Sequence, residues 1–164
     1  MPIDSTKTIH YRRSRFSTRL PRTRFYVRAH YWLEGREASV WRIGLTQFAT
    51  RMLGDLVEYS FNLRPGDRVE VGQNIGWIEG FKAVSDIFCA VKGSFVRANP
   101  ALEQDTMLVD NDPYDAGWLY EVDGEPDVDR LEVDGYVNLL DATIDRMLSQ
   151  TNQGDAACPV PGTS

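Results

Sequence analysis

Lysine is scarce in this chain. Of 18 basic residues among 164, only Lys7, Lys82 and Lys92 are lysines. Lys82 stands in Gly76-Trp77-Ile78-Glu79-Gly80-Phe81-Lys82-Ala83-Val84-Ser85-Asp86, midway between two strand-like runs. A lysine at a hairpin apex is exposed and held on rigid flanks, which suits covalent modification by a partner enzyme. Acylation would remove its charge and lengthen its flexible stem into an arm. Exposed turn lysines are also commonplace, so the position alone leaves a plain solvated lysine open. Within the folded body only Lys92 competes with it.

Other chemistry finds little support. The two histidines are His10, in an Arg-rich start, and His30, inside a strand-like stretch where it reads as a packed or hydrogen-bonded residue. There is no CxxC, no HExxH and no His pair at i, i+4, so a metal site is not expected. The glycines form neither GxGxxG nor a P-loop. Cys89 sits among Phe88, Ala90 and Val91 and reads as a small buried apolar side chain. With Cys158 as the only other cysteine, a disulfide framework is excluded. The longest apolar run has five residues, Ile87 to Val91, too few for a membrane span or a secretory signal. The chain reads as a poor candidate for an enzyme.

The elements that must position Lys82 are short. Phe25–Leu33 and Ala38–Gly44 read as strands flanking a turn at Glu34-Gly35-Arg36-Glu37. Leu45, Phe48, Ala49 and Met52 recur at helical spacing, with Gly54 as a stop. Strand-like runs follow at Asp55–Leu63, Val69–Val71, Asn74–Phe81, Val84–Val91, Gly93–Asn99 and Gly117–Val122, with a Pro-Gly turn at Arg64–Asp67. The segments starting at Gly66 and Gly93 share G-x-x-V-x-x-[G/N], as two β-halves related by a pseudo-twofold would. Val137, Leu140, Ile144, Met147 and Leu148 then share one side of a terminal helix. The fold class expected is a β-rich α+β domain.

Composition is that of an ordinary globular chain, 42% apolar and 26% charged. The net charge of −6 conceals a division. Residues 1–36 hold nine Lys or Arg against two acids, and residues 37–164 hold nine against twenty-two. Residues 1–23 read as an Arg-rich extended arm, 24–150 as the folded domain and 151–164 as a flexible tail. Seven arginines from Arg12 to Arg28 admit a patch for nucleic acid, anionic membrane or an organelle importer. The reading adopted is a solvated basic arm that folds back on the acidic body, with neither nucleic acid nor membrane as partner. Asp4 and the lack of an early apolar face count against a transit peptide.

Several motifs in order carry a family resemblance: His30-Tyr31-Trp32-Leu33; Ile43-Gly44-Leu45-Thr46-x-x-Ala49; Leu53-Gly54-Asp55-Leu56-Val57; Glu79-x-x-Lys82-Ala83-Val84-Ser85-Asp86; and Asn111-Asp112-Pro113-Tyr114-x-x-Gly117-Trp118-Leu119. From about residue 24 to 148 the chain resembles the H protein of the glycine cleavage system. The resemblance implies a barrel-sandwich hybrid of two small antiparallel sheets with a short internal helix and a C-terminal helix. It implies a carrier, not an enzyme, with lipoate attached covalently to Lys82. The lipoyl arm would move an aminomethyl group between a pyridoxal-phosphate glycine decarboxylase, a tetrahydrofolate-dependent aminomethyltransferase and an FAD-containing dihydrolipoyl dehydrogenase. One tethered arm serving three sites gains effective concentration and releases nothing unstable.

By the same resemblance Glu79 and Asp86 flank the modified lysine and help a lipoyl ligase or transferase recognise the hairpin. Ala83 and Ser85 shape the turn. Asp112, Pro113, Tyr114 and Trp118 shape the fold, and the Leu45–Leu53 helix helps form a groove that shelters the loaded arm. A monomer is expected, cytoplasmic in a bacterium or, alternatively, in the mitochondrial matrix. Between the Glu and the Lys the family usually places a small residue and then Val or Ile, where Gly80 and Phe81 stand here; Trp77 takes a position usually held by a small aliphatic, and Tyr31 one where an acid is usual. The Arg-rich arm has no counterpart. Two alternatives therefore stand: an H-protein-like lipoyl carrier of another pathway, such as sulfur oxidation or lipoate relay, and an unmodified binding or scaffold protein with the same fold.

Overall fold

The computed structural model describes residues 7–157, with side chains described for 7–150. The chain opens with a hairpin of β1 (Thr8–Arg13) and β2 (Phe16–Pro21). A six-stranded antiparallel sheet takes β3 (Phe25–Tyr26), β4 (Tyr31–Gly35), β5 (Val40–Leu45), β7 (Arg68–Val69), β10 (Val91–Ala98) and β11 (Tyr120–Pro126) in the order β3-β4-β5-β11-β10-β7. A three-stranded sheet takes β6 (Leu56–Phe61), β8 (Asn74–Gly80) and β9 (Val84–Phe88) in the order β6-β8-β9. Three α-helices, α1 (Gln47–Leu53), α2 (Leu108–Asn111) and α3 (Val133–Ala157), and a 3-10 turn at Pro100–Glu103 complete the elements of the described residues.

Alternation decides which faces meet. Along β10 Val91, Gly93 and Phe95 are buried, and along β8 Ile78 and Gly80 lie on the inner side, with Ile75 also buried beside an irregularity between Asn74 and Gly76. The two sheets close on one apolar core, where the Phe61 ring lies 5.9 Å from Phe95 and 5.7 Å from Tyr120. Fully burying each such side chain contributes about 1.5–3 kcal/mol. A second core lies outside this sandwich. There Tyr136, Leu140 and Ile144 of α3, at helical spacing, cover Tyr26, Trp32 and Phe48. The echoing segments at Gly66 and Gly93 are direct antiparallel neighbours, with Gly93 opposite Val69.

Three local expectations change. Residues 8–21 are not an extended arm but a paired hairpin with Tyr11 and Leu20 buried. Its basic residues do turn back on acidic sequence: Arg13 pairs with Asp145 at 2.8 Å and Asp141 at 3.4 Å. Tyr11 also donates to Asp141 at 2.8 Å. These partners lie at the far end of the chain, so no local pattern announces the hairpin. Residues 151–157 belong to α3, because no proline interrupts the helix before Pro159. The rest of the expected tail, 158–164, and residues 1–6 lie outside the described residues. Finally, His30 is not within a strand. It closes a turn at φ +69°, with its N–H on the Val27 carbonyl at 2.9 Å, so β3 stops at Tyr26 and β4 starts at Tyr31.

Candidate functional site

Lys82 occupies the tip of the β8–β9 hairpin. Register pairing ends at Glu79 opposite Val84, and the Gly80 N–H closes the turn on the Ala83 carbonyl at 2.9 Å. The tip is docked on the C-terminal end of α1. Thr46 starts that helix by accepting from the Ala49 N–H at 3.3 Å, and Gly54 ends it at φ +81°. Two backbone donors of the tip meet acceptors there: Lys82 N–H donates to the Leu53 carbonyl at 2.9 Å and Phe81 N–H to the Asp55 carbonyl at 3.0 Å. The hairpin thus satisfies a carbonyl that a helix end leaves without an intrahelical partner.

Two glycines permit this approach. A Cβ on Gly54 would stand 2.9 Å from both Cγ and N of Lys82, and one on Gly80 would meet the Leu53 carbonyl oxygen at 2.3 Å. The Lys82 stem therefore runs against the helix end, and its Nζ donates to the Arg51 carbonyl at 3.2 Å. The residue remains exposed.

Glu79 and Asp86 are both brought beside this tip on the outward face of the small sheet. Glu79 stands opposite Val84 and Glu58, and Asp86 opposite Trp77. Among the described residues neither carboxylate forms an ion pair with Lys82. Ala83 closes the turn, whereas Ser85 turns its hydroxyl to the Asp86 carbonyl at 2.9 Å. Phe81 is 81% exposed and Val84 68%, so an apolar patch sits among these acids.

Two hollows open beside the lysine. An apolar groove of about 200 Å³ is lined by His30, Leu45, Phe48, Met52 and Ile78, with Ala83 at the tip end. A wider cleft of about 400 Å³ is lined by Lys82 itself, Arg51, Phe81, Asp55, Asp110 and Asn111. Burial, opposed by the Leu56 N–H at 3.1 Å and reinforced by Asp55, holds the Asp110 carboxyl above its ordinary range. The helix expected to wall a groove thus walls both.

His30 is a packed structural residue. Its Nδ1 hydrogen-bonds the Tyr136 hydroxyl at 2.9 Å, and its ring lies 4.7 Å from Phe48. Burial pushes its pKa down to about 4, so it is neutral at physiological pH. Cys89 is buried, with its thiol donating to the Val91 carbonyl at 3.0 Å.

The second motif block holds the scaffold. Trp32 Nε1 donates to the Pro113 carbonyl at 2.8 Å, and the Tyr114 hydroxyl accepts from the Gln47 N–H at 3.0 Å at the start of α1. Asp112 accepts from the Ala116 N–H at 3.1 Å, and Trp118 lies under the Arg42 guanidinium at 4.3 Å. Arg51 and Asp110 carry no signal in the sequence, and Asp55 appears there only within a family motif, because their relation to Lys82 exists only once the hairpin docks on α1. Among the described residues no group of three or more His, Cys, Asp or Glu could hold a metal, and no helix is long and apolar enough to cross a membrane.

A lysine on a rigid hairpin tip, with an apolar groove and a polar cleft beside it, is an arrangement that suits a carrier of a covalently attached arm. Comparison with known proteins gives the family. The family model described as glycine cleavage H-protein matches residues 24–139. A glycine cleavage system H protein of Listeria monocytogenes is 37% identical over 125 residues, covering 74% of this chain and 98% of the relative. That of Corynebacterium jeikeium is 37% identical over 122 residues, covering 73% and 95%. The crystal structure of a glycine cleavage system H protein from Mycobacterium marinum superposes with TM-score 0.65 at 32% identity, covering 73% of this chain and 97% of that one. The chain belongs to the glycine cleavage H-protein family and has its barrel-sandwich fold.

Proposed function

We propose that the protein is the lipoyl carrier of a glycine cleavage system, with lipoate in amide linkage to Lys82. The observation that supports this most is the placement of Lys82 alone on the docked tip of a hairpin, within the family-matched segment. The residues suit the group. Nζ is accessible, acylation leaves it one N–H to donate to the Arg51 carbonyl, and the adjoining groove is apolar, as an acyl chain is. When bound, lipoate supplies a disulfide and dithiol pair that accepts and releases an aminomethyl group.

The chain's own residues hold and present the arm. Leu53 and Asp55 fix the tip through its backbone, so the arm pivots from a rigid point. Glu79 and Asp86, with exposed Phe81 between them, form the face a lipoyl ligase or transferase reads. Glycine decarboxylase, the aminomethyltransferase and dihydrolipoyl dehydrogenase are the partners this role requires, and a bacterial cytoplasm is its setting.

A second reading, a lipoyl carrier of another pathway such as sulfur oxidation, draws on one observation. The groove by His30 holds no carboxylate among its lining residues, Tyr31 lines it where the family usually has an acid, and His30 is neutral. A cationic aminomethyl end would find no counter-charge there. Exchange of glycine carboxyl with labelled bicarbonate by a glycine decarboxylase separates the two. Strong stimulation by the fully lipoylated protein is expected, and its absence would leave the second reading.

A further inference from the structure

The hairpin of β1 and β2 precedes the residues that the family model matches, 24–139. It is fastened to both α3 and α1. Arg13 binds Asp145 through Nε and a terminal nitrogen, each at 2.8 Å, and the Thr18 hydroxyl donates to Gln47 of α1 at 2.6 Å. Its Phe16 ring meets Phe48 of α1 edge-on at 5.4 Å, and the Arg51 guanidinium lies over Phe16 at 5.9 Å. Between hairpin, α1 and α3 this leaves a third hollow of about 370 Å³, a size within the roughly 300–1,000 Å³ of small-molecule sites. Its walls are Phe16, Phe48, Met52, Ile144, Met147 and Leu148, and Lys82 lines its edge.

We propose that this trough is the resting seat of the acyl arm on Lys82 in its uncharged state. The inference rests on the reading of Lys82 as lipoylated. Tethering names the occupant: the only lysine lining the trough is Lys82, and its Nζ already bonds the Arg51 carbonyl at 3.2 Å on the same wall. The chemistry matches as well. An alkyl chain ending in a disulfide ring is apolar and polarisable, and thioether and aromatic walls suit it. Charge sets the selectivity. Arg13, Arg15 and Arg51 line the trough and no carboxylate does, although Arg13 is itself paired with Asp145 on α3. Acylation removes the Lys82 ammonium from beside these guanidiniums, whereas an amine-bearing arm would restore a positive charge among them. The trough therefore holds the empty arm and releases the cationic one toward the cleft that contains Asp55 and Asp110.

The methionines distinguish the three hollows. Met147 lines only the hairpin trough, Met107 only the Asp110 cleft, and Met52 both the trough and the His30 groove. The test is a methyl NMR spectrum of full-length protein labelled at methionine methyls, before and after lipoylation, with intact mass taken on the same samples. Methyl shifts at Met147 and Met52 with Met107 unmoved are expected, and Phe16→Ala in the lipoylated protein should shrink the Met147 shift. A shift at Met107 without Met147, at Met52 alone, or at no methionine in fully lipoylated protein would overturn the seat and leave lipoylation standing. No mass gain at Lys82 would overturn the lipoyl reading, and the seat with it.

Discussion

Replacing Gly54 with alanine attacks the junction that aims Lys82. Gly54 sits at φ +81° and ψ −179°, a region essentially confined to glycine, so an alanine there costs of order 1–3 kcal/mol in backbone strain. Its Cβ would also stand 2.9 Å from the Lys82 backbone nitrogen, so the hairpin tip must move away from α1. Losing the Lys82 N–H bond to the Leu53 carbonyl adds about 1 kcal/mol. The sum, roughly 2–4 kcal/mol, lowers Tm by roughly 5–15 °C in a chain of this size. Gly66→Ala is the control, because Gly66 has φ +93° and nothing within 4 Å of the added Cβ. It too places an alanine at positive φ, but without touching the tip. Both variants are melted, and their acylation by a lipoyl ligase is followed by intact mass at a temperature where each is folded. Gly54→Ala should be acylated several-fold more slowly than wild type, and Gly66→Ala at the wild-type rate. Equal acylation of the two variants, with equal melting, would contradict a tip held by the end of α1.

Protonation of His30 provides a pH test. Its folded pKa of about 4 lies below the ordinary value of 6.5, so between these values the unfolded chain takes up a proton that the folded chain refuses. Stability from this group is intact above about pH 6.5, falls as pH drops toward 4 and levels below it, by about 3 kcal/mol in all. His30→Asn, which tolerates the left-handed backbone, should lose this part of the slope in urea unfolding measured against pH; a wild-type slope in the variant would refute it. Phe81→Val should change Tm by no more than about 2 °C, since Phe81 is 81% exposed, while altering ligase or decarboxylase efficiency. A large loss of stability would show that Phe81 supports the core.

The legible parts of this molecule are those whose causes are local. The apex at Lys82 follows from two alternating runs around Gly80–Ala83, and α1 from Thr46, the apolar spacing and Gly54. Long-range causes were not legible. The run from Phe25 to Leu33 reads as one strand because its side chains alternate acceptably, yet the tertiary bond of His30 to Tyr136 accompanies a left-handed turn. The first hairpin is concealed by its arginines, and its fastening to Asp141 and Asp145 spans nearly the whole chain. Arg51, Asp55 and Asp110 join the site only through the docking of the tip. The charge division of the sequence did carry meaning: basic start and acidic terminal helix meet at Arg13.

Intact mass spectrometry after co-expression with a lipoyl ligase tests the carrier role most directly. One lipoyl mass is expected, mapped by peptide fragmentation to Lys82 and abolished by Lys82→Arg. A folded protein that gains no lipoyl mass, or gains it at Lys7 or Lys92, would contradict that role and leave an unmodified binding protein on the same fold.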